Sequence, residues 1–339
     1  MKKLLLFLVS LGIIALLFVP NWGDGHYFNG HPTTLRLRTV AKEIIFPKSS
    51  VKVLNFGDVM FDRGVRNIIE NRGRDPFEYI KNDLEILKGF DVFLVNLEGP
   101  IVEMDRSKCQ QKAYNFQFAT STTYRLKSVG VNMVTIANNH SYDCYKFGFE
   151  STKQYLINAG LDYIGDSELE KSYVIKEIAG KRVVFVGIDE TVQVVPLSGF
   201  YALVKRLKAE NDLVVVNIHW GTEYELTNNA NQKAIAYRLI DSGADVIFGH
   251  HPHVVQNMEV YKEKAIFYSL GNFVFDQNFG DTKVGLGVGV EFESKNATFE
   301  LFPFNMKVFA PDLMKGEERE VFCEKFLKGL VHKGCEFVI

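Results

Sequence analysis

Short apolar runs alternate with stretches of helical periodicity along most of the chain. A first strand is predicted over residues 51–56, and further apolar runs predict strands at 91–95, 132–137, 183–188, 213–218, 245–248 and 265–270. Helices with one apolar face are predicted between them, at 75–88, 121–129, 146–159, 199–210 and 229–242. Strands that alternate with helices through short loops are typical of an α/β fold with a largely parallel sheet.

The two ends of the chain depart from this rhythm. Residues 284–292 and 297–308 are apolar runs with no helix between them, so we expect an antiparallel pair there, and residues 315–330 predict a closing helix. At the other end, Lys2 and Lys3 precede an unbroken apolar run, residues 4–19, which indicates a secretory signal or an uncleaved anchor. The anchor is the favoured interpretation, because no A-x-A-like cleavage site follows the run.

The predicted organisation follows from these features. It comprises a signal or anchor helix (1–20), a tether (21–50), one large domain (51–310) and a C-terminal helical extension (311–339). Of the 339 residues, 47% are hydrophobic and 24% are charged, and the net charge is -2. A chain without a basic excess is not expected to bind nucleic acid.

The four cysteines form no C-x-x-C motif, which excludes a zinc ribbon. Disulfides are plausible if the domain lies in an oxidising compartment. We hypothesise that Cys109 pairs with Cys144 and Cys323 with Cys335, on proximity in sequence. Four free buried thiols are the alternative.

A residue that can bind a metal or an anion follows each of five predicted strands. These residues are Asp58, Glu98, Asn139 with His140, His219, and His251 with His253. Because the carboxyl ends of parallel strands lie along one edge of a sheet, we expect these side chains to meet there. Mixed imidazole, carboxylate and amide ligands suit Mn, Fe or Zn. Two divalent ions would use the whole set, and such a pair favours hydrolysis of a phosphoester or a related bond.

Six segments, in this order, carry a resemblance to a known family. They are GDVMFDR (57–63), NLE (96–98), ANNHSYD (137–143), HWGTEY (219–224), GHHPHV (249–254) and YSLGNFVFDQ (268–277). Across about residues 51–280, the chain resembles the CapA family of capsule and poly-γ-glutamate synthesis proteins, within the calcineurin-like metallophosphatase superfamily. The resemblance implies an α/β four-layer sandwich, in which helices flank two central β-sheets and metals lie at the strand ends.

The resemblance also implies roles for individual residues. The implied metal ligands are Asp58, Glu98, Asn139, His219, His251 and His253, with Asp58 and His253 at one ion and His219 and His251 at the other. His140 matches the histidine that assists the leaving group, and we expect Arg63 to hold the substrate anion. Supporting or substrate-contacting roles are expected for His250, Asn96, Asp143, Glu223 and Asn272.

Two positions depart from the superfamily pattern. Met60 stands where an imidazole is usual, and a thioether is a poor ligand for hard divalent ions. Asn96-Leu97-Glu98 stands where Gly-Asp is usual, so the bridging carboxylate is assigned to Glu98, with Asn96 as the alternative. One ion is therefore expected to have an imidazole fewer than is usual.

Two functions are consistent with the sequence. One is a metal-dependent, phosphoesterase-like hydrolase that acts on capsule polymer or on a phosphorylated precursor. The other is a non-catalytic subunit whose metal site binds an anionic polymer and helps its export. Both place the domain outside the cytoplasm, at the cell membrane through the N-terminal helix or secreted after cleavage. Other capsule-synthesis membrane proteins are possible partners of either.

Overall fold

Two β-sheets form the centre of the computed structural model, which describes residues 50–103, 106–192 and 195–339. The strands are β1 (Val51–Val59), β2 (Val92–Leu97), β3 (Met133–Thr135), β4 (Asp162–Ile164), β5 (Tyr173–Ile178), β6 (Lys181–Asp189), β7 (Leu213–His219), β8 (Val246–His250), β9 (Met258–Tyr261), β10 (Lys264–Phe267), β11 (Asn272–Val274), β12 (Val284–Phe292), β13 (Ala297–Lys307), β14 (Ala310–Leu313), β15 (His332–Lys333) and β16 (Glu336–Val338). The α-helices are α1 (Arg63–Glu70), α2 (Leu84–Leu87), α3 (Thr122–Ser128), α4 (Tyr145–Ala159), α5 (Leu197–Glu210), α6 (Ala230–Asp241) and α7 (Gly316–Phe326).

Both sheets have a parallel core. In the first sheet the strand order is β15-β16-β13-β12-β1-β2-β3-β4, with β11 beside β1 and β14 beside β13. In the second sheet the order is β5-β6-β7-β8-β10-β9. Strands β1 to β4 are parallel to one another, and so are β6, β7, β8 and β10. The carboxyl ends of the parallel strands therefore gather at one edge of each sheet.

Three apolar layers hold the sheets and helices together. Val53 and Leu94 of the first sheet share a buried layer with Phe185 and Phe248 of the second. Residues of α1, α3 and α4 pack on the outer face of the first sheet, and residues of α5 and α6 pack on that of the second. The arrangement confirms the expected α/β sandwich with two central sheets and flanking helices.

Two glycines allow strands to approach closely where the candidate site lies. A side chain at Gly57, in β1, would collide with the backbone carbonyl of Gly271, just before β11. A side chain at Gly249, in β8, would collide with the backbone carbonyl of Tyr268, just after β10. Each of these glycines directly precedes a candidate site residue, Asp58 or His250. The close approach of the two backbones therefore fixes the position of that residue near the end of its strand.

The sequence pattern located most of these elements and missed the short ones. The antiparallel pair expected after residue 284 is β12 with β13. The strands β4, β5, β9, β11, β14 and β15 and the helix α1 were not predicted, since they are short or only partly buried and give a weak periodic signal. The helix predicted over 75–88 was too long, because only α2 is α-helical there. The segment 311–339 contains more than the expected helix, because β16 adds to β13 at the edge of the first sheet.

Both hypothesised disulfides are present, Cys109–Cys144 and Cys323–Cys335. Among the residues from 50 onward that the structure describes, no helix has the length and apolar character that crossing a membrane requires. The predicted anchor helix (1–20) and, apart from Ser50, the predicted tether (21–50) lie outside the described residues.

Candidate metal centre

Asp58 lies in the middle of the candidate site, fully buried near the end of β1. Its Oδ1 accepts a hydrogen bond from Asn96 Nδ2 at 2.8 Å and lies 3.5 Å from His250 Nδ1. Its Oδ2 lies 3.3 Å from His253 Nδ1 and accepts a hydrogen bond from the backbone N–H of His251, also at 3.3 Å. Groups from both sheets therefore converge on one carboxylate.

Glu98 is a second buried carboxylate, directly after β2. Among the residues that the structure describes, neither of its oxygens has a hydrogen-bond partner. Its Oε1 lies 3.6 Å from His253 Nε2 and 4.0 Å from His140 Nε2. Asp58, Glu98 and His253 offer ligand atoms within 4.8 Å of one another, and we call this group the inner position. Since burying an unpaired carboxylate is costly, a cation there would offset the cost.

A second group of donors gathers around His219, at the end of β7. His219 Nε2 lies 2.9 Å from Asn139 Oδ1, and its ring lies 4.7 Å from the ring of His251. We call Asn139, His219 and His251 the outer position. Asn96 Nδ2 lies 3.3 Å from His219 Nδ1 and also bonds Asp58, so Asn96 stands between the two positions. The bridging role assigned to Glu98 stays a prediction, with Asn96 still its alternative.

The turn after β8 carries His251 and His253, and its backbone is strained at both residues. His251 has a φ of 98° and His253 a φ of 59°, in the left-handed region that side chains disfavour. Neighbours fix the turn: Asn272 Oδ1 lies 3.0 Å from His253 Nδ1, and the backbone N–H of Tyr224 donates to the carbonyl of Pro252 at 2.8 Å. Strain that is stabilised by its surroundings is typical of ligand-binding positions.

His140 is held by an aspartate three residues later. Its Nδ1 lies 2.8 Å from Asp143 Oδ2, which also accepts the backbone N–H of Phe116 at 2.6 Å. Lys112 Nζ pairs with the other oxygen of Asp143 at 2.5 Å, and the Phe116 ring lies 4.1 Å from the His140 ring. With Nδ1 engaged, Nε2 is the nitrogen left to act on a ligand. This geometry suits the role expected for His140, which stays a prediction.

Arg63 lies at the edge of the site, over two aromatic rings that also pack on site histidines. Its guanidinium carbon is 5.0 Å from the centre of the Phe116 ring and 5.6 Å from that of Phe275. The Phe275 ring lies 4.8 Å from the ring of His253. Asp276 forms an ion pair with Arg63, so part of its hydrogen-bonding capacity is already used. The expected role in holding a substrate anion stays a prediction.

Met60 is part of the apolar core. It is fully buried, belongs to the layer on the outer face of the first sheet, and accepts the backbone N–H of Asp62 on its sulfur at 3.0 Å. β1 therefore contributes Asp58 to the site, and Met60, the residue after β1, does not reach it as a ligand.

The charges of the inner position influence one another. Burial raises the pKa of the Glu98 carboxyl well above its ordinary value, an effect that His253 opposes and Asp58 increases. Burial also disfavours ionised Asp58, but hydrogen bonds with His250 and His253 outweigh it and hold the pKa of Asp58 well below its ordinary value. Burial would lower the pKa of His253, yet Glu98 and Asp58 raise that pKa to about 9.

The imidazoles of the outer position are held neutral. Burial, with the neighbouring His251, lowers the pKa of His219 well below its ordinary value. Burial and the nearby His253 lower the pKa of His251 to about 4. The neighbouring His140, which belongs to neither position, follows the same trend: burial lowers its pKa, although Asp143 opposes the effect. Neutral imidazole is the form that binds a metal.

The structure brings the predicted metal ligands and their supports to one site, with Arg63 at its edge and Glu223 at its surface. It also shows supporting residues for which the sequence predicted no role. Asn217 Oδ1 lies 3.1 Å from His250 Nε2, and Asn138 Nδ2 donates to the Asn96 side chain at 3.0 Å. Asn217 is a lone asparagine in the apolar run of β7, and this could have indicated a role in the site. The polar stretch around Lys112 contains no comparable signal that Lys112 pairs with Asp143.

The donor set fits two divalent cations. The inner position offers two carboxylates and an imidazole, and the outer position offers an amide oxygen and two neutral imidazoles. Donors of this mixture suit Mn, Fe or Zn. The unpaired Glu98 carboxylate is the clearest sign that a cation belongs in the site.

Comparison with solved structures gives a weak likeness. A hypothetical protein from Thermus thermophilus is similar with a TM-score of 0.42 and 16% identity, over 77% of this chain and 96% of that one. A likeness at this level indicates nothing about function.

Comparison of sequences is more specific. Residues 52–277 match the family model described as Bacterial capsule synthesis protein PGA_cap. The chain is 33% identical over 283 residues to the capsule biosynthesis protein CapA of Bacillus anthracis, covering 75% of this chain and 67% of that protein. It is 29% identical over 323 residues to the PGA biosynthesis protein CapA of Bacillus subtilis (strain 168), covering 89% of this chain and 81% of that protein. The resemblance seen in the motifs is confirmed, and the chain belongs to the bacterial capsule synthesis protein family.

Proposed function

We propose that the chain is a membrane-anchored, extracytoplasmic protein of capsule or poly-γ-glutamate synthesis or export, whose site holds two metal ions and hydrolyses a phosphoester or a related bond. Family membership and the names of the relatives support the capsule assignment. The observation that carries the metal assignment is Glu98, buried beside Asp58 and His253. Among the described residues, neither oxygen of Glu98 has a hydrogen-bond partner.

Each part of the site has a task in this proposal. The inner and outer positions would each hold one ion, and together the ions would supply activated water and stabilise an oxyanion. Asp143 holds His140 by Nδ1 and would stabilise the positive charge of the ring when it carries a proton, which Nε2 would donate to the leaving oxygen. Arg63, fixed by Asp276, supplies positive charge at the edge of the site, where an anionic substrate would arrive.

A second function is favoured by the burial of Met60. Position 60, where the resemblance leads us to expect an imidazole, is a methionine in the apolar core, so the inner position has one imidazole fewer. A site of this kind could bind an anionic polymer during its export without cleaving it. A variant with both Asp58→Asn and His251→Ala that still supports polymer export in cells would favour this second function.

The first function is tested on the full chain purified in detergent. We expect close to two Mn²⁺ or Zn²⁺ ions per chain by plasma mass spectrometry, and metal-dependent hydrolysis of bis(p-nitrophenyl) phosphate. His251→Ala should reduce hydrolysis by at least about 100-fold, since even the loss of an outer partner of a metal ligand costs about 10- to 100-fold. His332→Ala, on β15 at the edge of the first sheet, is the matched control and should retain the activity. Absence of bound metal, or of hydrolysis with Mn²⁺, Fe²⁺ and Zn²⁺, would contradict the hydrolase.

A further inference from the structure

A carboxylate on the surface side of the site lies within reach of its histidines. Glu223 is exposed, on the loop between β7 and α6, yet its carboxylate and ring nitrogens of His251 and His253 all lie within 4.8 Å of one another. We propose that Glu223 is a direct ligand of the metal in the outer position. The inference rests on the proposed function, because it adds a ligand to that metal site.

The loop that carries Glu223 is built against the histidine turn. On one side of Glu223, the backbone N–H of Trp220 donates to the carbonyl of His250 at 3.2 Å. On the other side, the backbone N–H of Tyr224 donates to the carbonyl of Pro252 at 2.8 Å. The Tyr224 hydroxyl also accepts a hydrogen bond from Gln277 at 3.0 Å. These contacts present Glu223 to the site, although its own side chain reaches solvent.

Charge gives Glu223 a specific task. The amide of Asn139 and the imidazoles of His219 and His251 are neutral donors, whereas the inner position has two carboxylates. A divalent ion held by neutral donors alone keeps its full charge in a partly desolvated site, which is unfavourable. A carboxylate within reach reduces that charge, and Glu223 supplies it from the solvent side.

An unpaired ring nitrogen points to the same ligand set. His251 is 8% exposed, and within the described part of the chain its Nδ1 has no hydrogen-bond partner. Buried polar atoms in folded proteins are nearly always satisfied, and a bound ion is one of the few explanations for an exception. A cation between His251 and Glu223 would satisfy both side chains. If Glu223 bound no cation, the ring nitrogen of His251 would stay without a partner.

Metal titration of the full chain in detergent tests this assignment. Glu223→Gln keeps the size of the side chain and removes its charge, and Glu225→Gln, at an exposed position of the same loop, is the matched control. We expect Glu223→Gln to bind the first Mn²⁺ equivalent as the wild type does and the second at least about 10-fold more weakly. Glu225→Gln should match the wild type at both equivalents.

A cobalt spectrum separates a ligand from a distant charge. The visible absorption of Co²⁺ changes when a ligand is lost, so the spectrum of the second equivalent should differ between Glu223→Gln and the wild type. Equal affinities, or a weakened affinity with an unchanged spectrum, would overturn the inference. If the wild type binds two ions and Glu223→Gln binds them equally well, only Glu223 is wrongly assigned. If the wild type itself binds no ion, the proposed function fails as well.

Discussion

The two ends of the first sheet are built in opposite ways. At the carboxyl end of β1, which we call the site end, charged and polar side chains such as Asp58 and Glu98 are buried, and Glu98 has no hydrogen-bond partner among the described residues. At the amino end, which we call the apolar end, Val51 pairs with Phe292 of β12. There the ring of Phe299 in β13 stacks on Phe337 of β16 at 4.9 Å. The packing at the apolar end is complete without a ligand, whereas the site end keeps a buried carboxylate without a partner.

This difference separates the sources of stability from the sources of function. Apolar burial stabilises the fold by about 25 cal/mol per Å² removed from water. Buried charges without partners have the opposite effect until a ligand compensates them. Changes at the apolar end should therefore alter the free energy of unfolding and leave metal binding intact. Removal of the unpaired charge at the site end should alter metal binding and improve the stability of the metal-free protein.

The largest effect is expected at the apolar end, from the double variant Cys323→Ser with Cys335→Ser. Loss of this disulfide, which joins α7 to the chain just before β16, should lower the free energy of unfolding by about 3 kcal/mol. Urea denaturation measures the loss, and plasma mass spectrometry of the folded variant should still find the wild-type metal content. A folded variant that has lost its metal would contradict the proposal that the apolar end does not influence metal binding.

Glu98→Gln at the site end is expected to change the free energy of unfolding by a smaller amount and in the opposite direction. Because burial raises the pKa of this carboxyl well above its ordinary value, the group lowers the stability of the metal-free protein at neutral pH. Its replacement by an amide should raise the free energy of unfolding without metal by roughly 1–3 kcal/mol and abolish metal binding at the inner position. Glu85→Gln, at an exposed position of α2, serves as the control. A destabilised metal-free Glu98→Gln would instead make this carboxylate a structural element.

The third effect is a pH dependence carried by His253, and the change that it produces from one pH unit to the next is the smallest of the three. Its pKa rises from 6.5 to about 9 on folding, because Glu98 and Asp58 outweigh the effect of burial. The stabilisation is therefore fully present below pH 6.5 and is lost as the pH rises through about 9, with a slope of at most about 1.4 kcal/mol per pH unit.

Urea denaturation of the metal-free protein between pH 6 and 9.5 measures this slope. His253→Gln should not show it, and the metal-loaded wild type should show less of it, since a ligating imidazole carries no proton on the bound nitrogen. An equal slope in His253→Gln would assign the pH dependence to another group.

The sequence predicted the strand ends well, because a buried strand and the residue that follows it are local features. Asp58, His219 and His253 all follow apolar runs, and parallel pairing is enough to bring them together. The hypothesised Cys109–Cys144 bond, in contrast, rested on proximity alone and was confirmed by the structure.

Features that depend on distant pairing were not predictable in this way. Arg63 pairs with Asp276, 213 positions away, and no periodicity of either segment encodes that contact. β16 is too short to show alternation and becomes a strand because β13 leaves an edge for it. Glu223 reaches the histidines only through a loop conformation in which Tyr224 has a φ of 67°.

The place of β1 in its sheet determines the order in which the molecule can be assembled. This strand is among the first described residues, but its neighbours β11 and β12 begin at residues 272 and 284. A growing chain therefore holds Asp58 long before Asn272 exists to pair with it. Contacts so far apart in sequence make folding slow and leave strand edges open while the chain is incomplete. The site is consequently assembled late, and a partly synthesised chain has no finished centre with which to capture a metal ion.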